Sequence, residues 1–403
     1  MKSLLIIFFT LSFTTLIAQT KYAQFVNPFI GTGGTGHTFP GAVVPFGMVQ
    51  LSPDTRVDGS WEGCGGYYNP DTVIYGFTHT HLSGTGCSDY GDVLIMPITN
   101  SSNYKNKTYA SKYSYLKEKA SAGFYQVKLE NTIDVKLTAT QRVGIHQYTF
   151  PKMDTTSIVI DLLHRDKTLN CSFTIVDSVT VIGSRVSEAW ATEQYIYFIM
   201  KFNKPIISKK LNFQMLSKGP AEKEKTVGAC LQFNNRDNTP LLIKVGVSQT
   251  STDGAKLNLE SEATHWNFEK YKQDAESLWE KELSKIHIET VDNEKKIIFY
   301  TALYHCFTHP SLAGDVDGKY RGRDLKVHQA IGFVPYTVFS LWDTFRGLHP
   351  LFTIIEQKRT TDIINTFLQQ HKESGRLPMW ELSANETNCM IGFHSVSVIA
   401  DAI

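Results

Sequence analysis

A chain of 403 residues exceeds the size at which one hydrophobic core usually stops growing, so two domains are expected. Lys plus Arg number 40 against 39 for Asp plus Glu, leaving a formal net charge of +1 and no broad field to steer nucleic acid or acidic polymers. Nucleic acid is therefore excluded as the expected partner, and an aromatic content of 12% is compatible with ordinary cores.

The chain opens MKSLLIIFFTLSFTTLIAQT, joining the basic Lys2 to an apolar run from Leu4 to Ile17 with a small residue at Ala18. This pattern predicts a signal peptide over residues 1–18, since the run is shorter than the ~20 apolar residues that span a bilayer. No later stretch is long enough to span, and no cysteine stands at the cleavage position to take a lipid. The mature protein is expected to be periplasmic or secreted. Cysteines at 64, 87, 171, 230, 306 and 389 are too sparse to form a disulfide framework. For Cys64 and Cys87 a disulfide and two buried thiols both stay open.

Residues 19–250 alternate short apolar runs with Gly, Asn, Asp and Pro, as in GFYQVKLE, SIVIDLL, YIYFIMKF and PLLIKVGVS. That succession predicts an antiparallel β-sandwich. Over residues 251–290 the period changes, with Trp266, Tyr271, Ala275, Leu278 and Trp279 at helical spacing, which predicts a helical linker. Ile297, Ile298, Ala302 and Leu303, then Ile354, Ile355, Ile363, Ile364, Phe367 and Leu368, carry the helical period through residues 291–403. The closing run MIGFHSVSVIADAI is apolar and uncapped, so the helical domain is expected to stop mid-pattern, as part of something longer.

Chemistry-bearing residues concentrate between Trp61 and Asp92. Glycines there allow close backbone approach, while Trp61, His79, His81, Asp89 and Asp92 offer a flat apolar face and hydrogen-bonding groups suited to a polyhydroxylated ligand. His79 and His81 stand two apart, which on a strand puts both rings on one face. A metallohydrolase centre using them with Asp89 and Asp92 lacks an HExxH or comparable ligand set, and backbone-satisfied histidines explain them equally. The run from Gly31 to Gly41 lacks the GK[ST] ending of a phosphate loop and reads as a turn around a sandwich edge, with His37 near a pocket. Downstream, Trp342, Asp343 and Arg346 place an acid beside a ring, and an ordinary helix start accounts for them as well. Trp380, Glu381 and Glu386 offer the same choice, between a sugar subsite and a polar loop entering a helix.

In order, VNPFIGTGGTGHTFPGAVVPFGMVQLSPDTR, GFTHTHLSGTGCSDYGDVLIMP, SLWDTFRGLHPL and LPMWELSANETNCMIGFHSV resemble glycoside hydrolase family 92, whose members are secreted, calcium-dependent, exo-acting α-mannosidases chiefly from Bacteroidetes. The resemblance implies an N-terminal β-sandwich and a C-terminal (α/α)6 barrel, with the site between them. It implies inverting hydrolysis by two carboxyl groups ~6.5 to 9.5 Å apart, acting on mannose-containing glycans of N-glycan or yeast mannan type, with α-1,2 linkages expected. It further implies Ca2+ as a cofactor that holds the sugar through its hydroxyls. Family motifs resembling EGNAWQY, HGNEPSHH and GNDDxGxMSAW, which carry the acid and base, are not found before Ile403. Hence no catalytic residue and no metal ligand is expected within this chain. The substrate-binding set implied by the resemblance is Trp61, Asp343 and Arg346, with His79 and His81 in matching text. The first part of the barrel is expected to be inactive without the remainder, supplied as a separate chain. The alternative is a carbohydrate-binding module whose sandwich holds glycan without cleaving it.

Overall fold

The computed structural model describes residues 21–102, 104, 107–216 and 224–403, and the expected signal peptide lies outside them. Two antiparallel sheets pack face to face. The first runs, in spatial order, through Ala42–Val43, Gln50–Asp54, Gly76–Thr78, Leu94–Ile98, Thr155–Asp161, Lys225–Asn234 and Ile206–Gln214. The second runs through Lys167–Asp177, Thr180–Glu188, Gln194–Phe202, Leu241–Ser248, Val143–Thr149, Asp134–Ala139, Phe124–Leu129, Ser111–Ser121 and Val73–Ile74.

The strand period explains the layering. Along Gln194–Phe202, Phe198, Met200 and Phe202 pair in register with Val247, Val245 and Ile243, and all six enter the core between the sheets. Phe202 meets Phe233 of the other sheet at 5.1 Å between ring centroids. Ile199, one position out of phase, points to the outer face instead. There it joins Ala255, Leu259, Phe268 and Tyr271 in a separate cluster, so helices α1 (Thr252–Glu262) and α2 (Phe268–Leu283) cover this sheet. Gly246 permits the approach: a Cβ at that position would come 2.6 Å from the Ala255 carbonyl and 2.7 Å from the Leu259 Cβ.

Helix α3 (Asn293–Cys306) starts at Asp292, whose carboxylate accepts from the Glu294 and Lys295 amides, satisfying donors that the first turn leaves open. A short turn of helix α4 (Leu341–Thr344), then α5 (Leu348–Ile355), α6 (Gln357–Ser374) and α7 (His394–Asp401), follow. Small antiparallel pairs interrupt this region, among them Ser311–Leu312 with Tyr336–Thr337 and Phe339–Ser340 with Trp380–Leu382. Two- and three-residue strands are too short to show a period, so the sequence pattern over 291–403 does not reveal them.

The helical region is joined to the sandwich by buried contacts. Trp279 of α2 donates its indole N–H to the Val43 carbonyl at 2.6 Å and lies 4.3 Å from the Tyr304 ring of α3. Phe46 packs against Phe307, Tyr336 and Phe352, while the Arg359 guanidinium sits 3.6 Å above its ring. An antiparallel β-sandwich followed by a helical region is thus the architecture, in keeping with the order of periods in the sequence.

Candidate functional site

A cleft of about 250 Å3 opens at the seam between the sandwich and the helical region. Ser83, Gly84 and Thr85 form its sandwich wall. The end of α3 and the turn after it contribute His305, Cys306, His309 and Pro310, and the α4–α5 region contributes Ser340, Asp343, Thr344, Leu348 and His349, beside Trp380.

Each sequence-predicted residue takes a definite place. Trp61 is 57% exposed and stands edge-on to His37 at 4.7 Å. Its ring lies over Gly86, where an added Cβ would fall 2.2 Å from the indole, so only glycine lets the ring rest on this loop. The preceding residues of that loop, Ser83 to Thr85, supply the sandwich wall of the cleft, and Trp61 rests next to them without lining it. The Gly84 amide donates to the His37 carbonyl at 3.0 Å, binding the glycine-rich turn to that wall. Cys64 and Cys87 below it are free, buried thiols.

Asp343 lines the cleft and accepts a hydrogen bond from the Ser340 hydroxyl at 2.5 Å. Arg346 does not pair with it. The three-residue spacing permitted a shared helical face, but α4 ends at Thr344. Arg346 instead donates to the Trp342 carbonyl at 3.1 Å and lies over the Trp342 and Phe345 rings at 5.1 and 4.8 Å.

The structure places His79 and His81 in the interior. Both are 0% exposed and neither lines the cleft, because the strand ends at Thr78 and the chain turns into the interior. His79 bonds through Nδ1 to the Val93 carbonyl at 2.8 Å and through Nε2 to His146 Nε2 at 2.9 Å. His81 bonds to the Gln50 carbonyl at 2.8 Å and to Asp54 Oδ1 at 3.0 Å. His164 and Thr78 reach the other Asp54 oxygen at 2.9 and 2.7 Å. Burial pushes the Asp54 carboxyl upward, but the charges and hydrogen bonds of His81 and His164 outweigh it and hold the group below the ordinary carboxylate range. Asp89 accepts the Trp190 and Ala191 amides, and Asp92 pairs with Arg185. These are fully engaged structural carboxylates, and they are not gathered around an open site.

Glu381 lies beneath the cleft, 0% exposed. It accepts from the Thr337 hydroxyl and the Val338 and Ala384 amides, and burial raises it to about 7. Glu386 accepts the Met379 and Trp380 amides. Both carboxylates shape the loop that presents Trp380.

Sequence reasoning missed the imidazoles of the cleft. His305 stands in the last turn of α3 and His309 three residues beyond the helix, so no helical spacing joins them, and no pattern in GLHPL marks His349. His309 donates from Nε2 to the His81 carbonyl at 3.2 Å, so the buried histidine motif supports the cleft indirectly. Burial lowers His305 and takes His309 and His349 to about 4, leaving three neutral rings near neutral pH. Such rings, a carboxylate and an adjacent open indole suit hydrogen bonding and stacking with an uncharged, hydroxyl-rich ligand.

Comparison with known proteins agrees with this architecture. The Glycosyl hydrolase family 92 N-terminal domain profile matches residues 25–248, and that of the Glycosyl hydrolase family 92 catalytic domain matches residues 254–403. Among solved structures, the family GH92 α-mannosidase BT3965 from Bacteroides thetaiotaomicron, also solved with mannoimidazole, superposes with a TM-score of 0.88 at 35% identity, over 94% of this chain and 54% of that one. The inverting mannosidase BT2199 from the same species gives 0.84 at 27%, over 95% and 53%. An uncharacterized secreted glycosidase of Arthroderma benhamiae is 27% identical over 321 residues, 71% of this chain and 41% of that protein. The chain thus spans about half the length of the mannosidases it matches, and less of the curated relative.

Proposed function

Because the chain belongs to glycosyl hydrolase family 92, we propose that it forms the sandwich and leading helical part of an inverting, exo-acting α-mannosidase site. Its substrates are proposed to be mannose-containing glycans of N-glycan or yeast mannan type, with α-1,2 linkages. The carrying observation is the cleft at the seam between the domains, with the open Trp61 ring beside it and Asp343 within it. A periplasmic or secreted location fits the sequence start, and among the described residues no helix is long and apolar enough to cross a membrane.

Inverting hydrolysis needs a general acid and a general base on opposite sides of the scissile bond, ~6.5 to 9.5 Å apart. Among the described residues Asp343 is the one carboxylate lining the cleft, and it is proposed to bind substrate, so both the acid and the base are expected from the remainder of the complete site. A first part of an (α/α)6 barrel also accounts for the apolar side chains left open on the helical region. Ile354 on α5, and Ile391 and Phe393 in the loop leading into α7, are 74, 72 and 82% exposed, as on segments that lack packing neighbours.

Calcium takes six to eight oxygen ligands. The described residues contain no group of three or more His, Cys, Asp or Glu side chains placed to hold a metal, and Asp343 already accepts the Ser340 hydroxyl. The carboxylates of the described residues do not by themselves make such a set, and calcium is proposed for the complete site.

The test is an assay of the purified chain with α-1,2-mannobiose in calcium buffer, alone and with the remaining barrel of a family member supplied as a second chain. Release of mannose only in the second arm is expected, and release by the chain alone would overturn the proposal. Binding without turnover in both arms favours the module reading, to which the single carboxylate and exposed Trp61 also conform. Trp61→Ala is expected to weaken mannobiose binding about tenfold, through loss of the aromatic face. Because the ring is largely exposed, the melting temperature should stay within a degree or two. Calorimetry and a thermal melt check both, and unchanged affinity would remove Trp61 from the site.

A further inference from the structure

His349 is the second residue of α5, is 2% exposed, and lines the cleft. Phe352 and Phe367 hold its ring edge-on at 6.3 and 6.2 Å, so packing alone fixes its orientation. It makes no hydrogen bond to any described residue, and its nitrogens are not among the sealed, unpartnered polar atoms of the interior. The neighbouring imidazoles differ: His305 is bonded to the Ile30 carbonyl at 3.2 Å and His309 to that of His81. Burying an imidazole without a partner costs free energy that a leucine or phenylalanine at the same place would not incur. The small part of His349 that stays open is therefore poised for a partner arriving through the cleft.

We infer that His349 determines specificity by hydrogen-bonding one hydroxyl of the sugar ring that enters the cleft. This rests on the glycan reading above. Burial keeps the ring neutral at ordinary pH, so one nitrogen donates and the other accepts, matching a hydroxyl that can do either. A buried polar group left unpaired discriminates strongly against a ligand lacking its partner, so a deoxy sugar is the sensitive probe.

Calorimetry of the 403-residue chain with methyl α-mannoside and its 2-, 3-, 4- and 6-deoxy analogues tests this. For the unmodified chain, one analogue should bind about tenfold more weakly than the parent. His349→Phe should weaken the parent by a similar factor and erase that one difference, and His349→Gln should restore part of it. Long-range nitrogen NMR of the unmodified chain should show His349 signals moving on saturation. A folded His349→Phe variant that binds the parent as tightly as the unmodified chain, or that keeps the tenfold difference between the parent and one analogue, overturns the inference while leaving the glycan reading intact. Absence of any mannoside binding by the unmodified chain overturns both. Should His349→Phe fail to fold, unmoved His349 signals at saturation overturn the inference by themselves.

Discussion

Replacing Asp54 by alanine is expected to destabilise the protein by about 3–5 kcal/mol, the usual consequence of removing one partner from a buried charged network. Asp54 is 0% exposed and its two oxygens serve His81, His164 and Thr78, with Arg165 at 3.7 Å. Without the carboxylate, three donors and a guanidinium are left in the interior with no water to replace it. Asp54→Asn retains an acceptor and the volume, so its loss should be smaller. Denaturant titration of the three proteins gives the comparison, and an alanine variant within about 0.5 kcal/mol of the original would show that the network contributes little.

The pH dependence has a definite sign. The folded carboxyl lies below the ordinary range, so the unfolded chain binds this proton first as pH falls. The contribution of Asp54 is therefore complete above about pH 4 and is lost as pH drops through the lower folded value. The alanine variant should lack that component of acid destabilisation. The cleft should respond too, since the His81 carbonyl held by this network accepts the hydrogen bond that orients His309.

Trp279→Ala is the second large effect, expected to cost about 3–5 kcal/mol as a buried aromatic truncation. The side chain is 0% exposed and touches three parts at once: it belongs to α2, bonds to Val43 of the sandwich, and packs on Tyr304 of α3. Its removal should also separate the unfolding of the helical region from that of the sandwich, producing two transitions in place of one. Trp279→Phe keeps much of the packing and leaves the Val43 carbonyl without its indole donor, so a loss of about 1–3 kcal/mol is expected. A single calorimetric transition for the alanine variant, with an unchanged midpoint, would rule out this coupling.

The sequence by itself determined the order of architectures and the family. Strand alternation up to Ser248 and helical spacing after it follow from which side chains must leave water, and that demand is local enough to read from a window of residues. The glycine-rich and WDTFR motifs carried the family because such turns and rings are specific at short range. Which buried face meets which partner is not encoded in any period, so only the tertiary structure decided the rest. It sent His79 and His81 inward, where carbonyls, Asp54 and His146 satisfy them, although a histidine in the interior and one at a ligand are written with the same letter. It separated Arg346 from Asp343 by ending a helix after one turn. It built the cleft from Ser83–Thr85, the end of α3, the start of α5 and Trp380, segments hundreds of positions apart that meet because Trp279 and Phe46 fix the helical region against the sandwich.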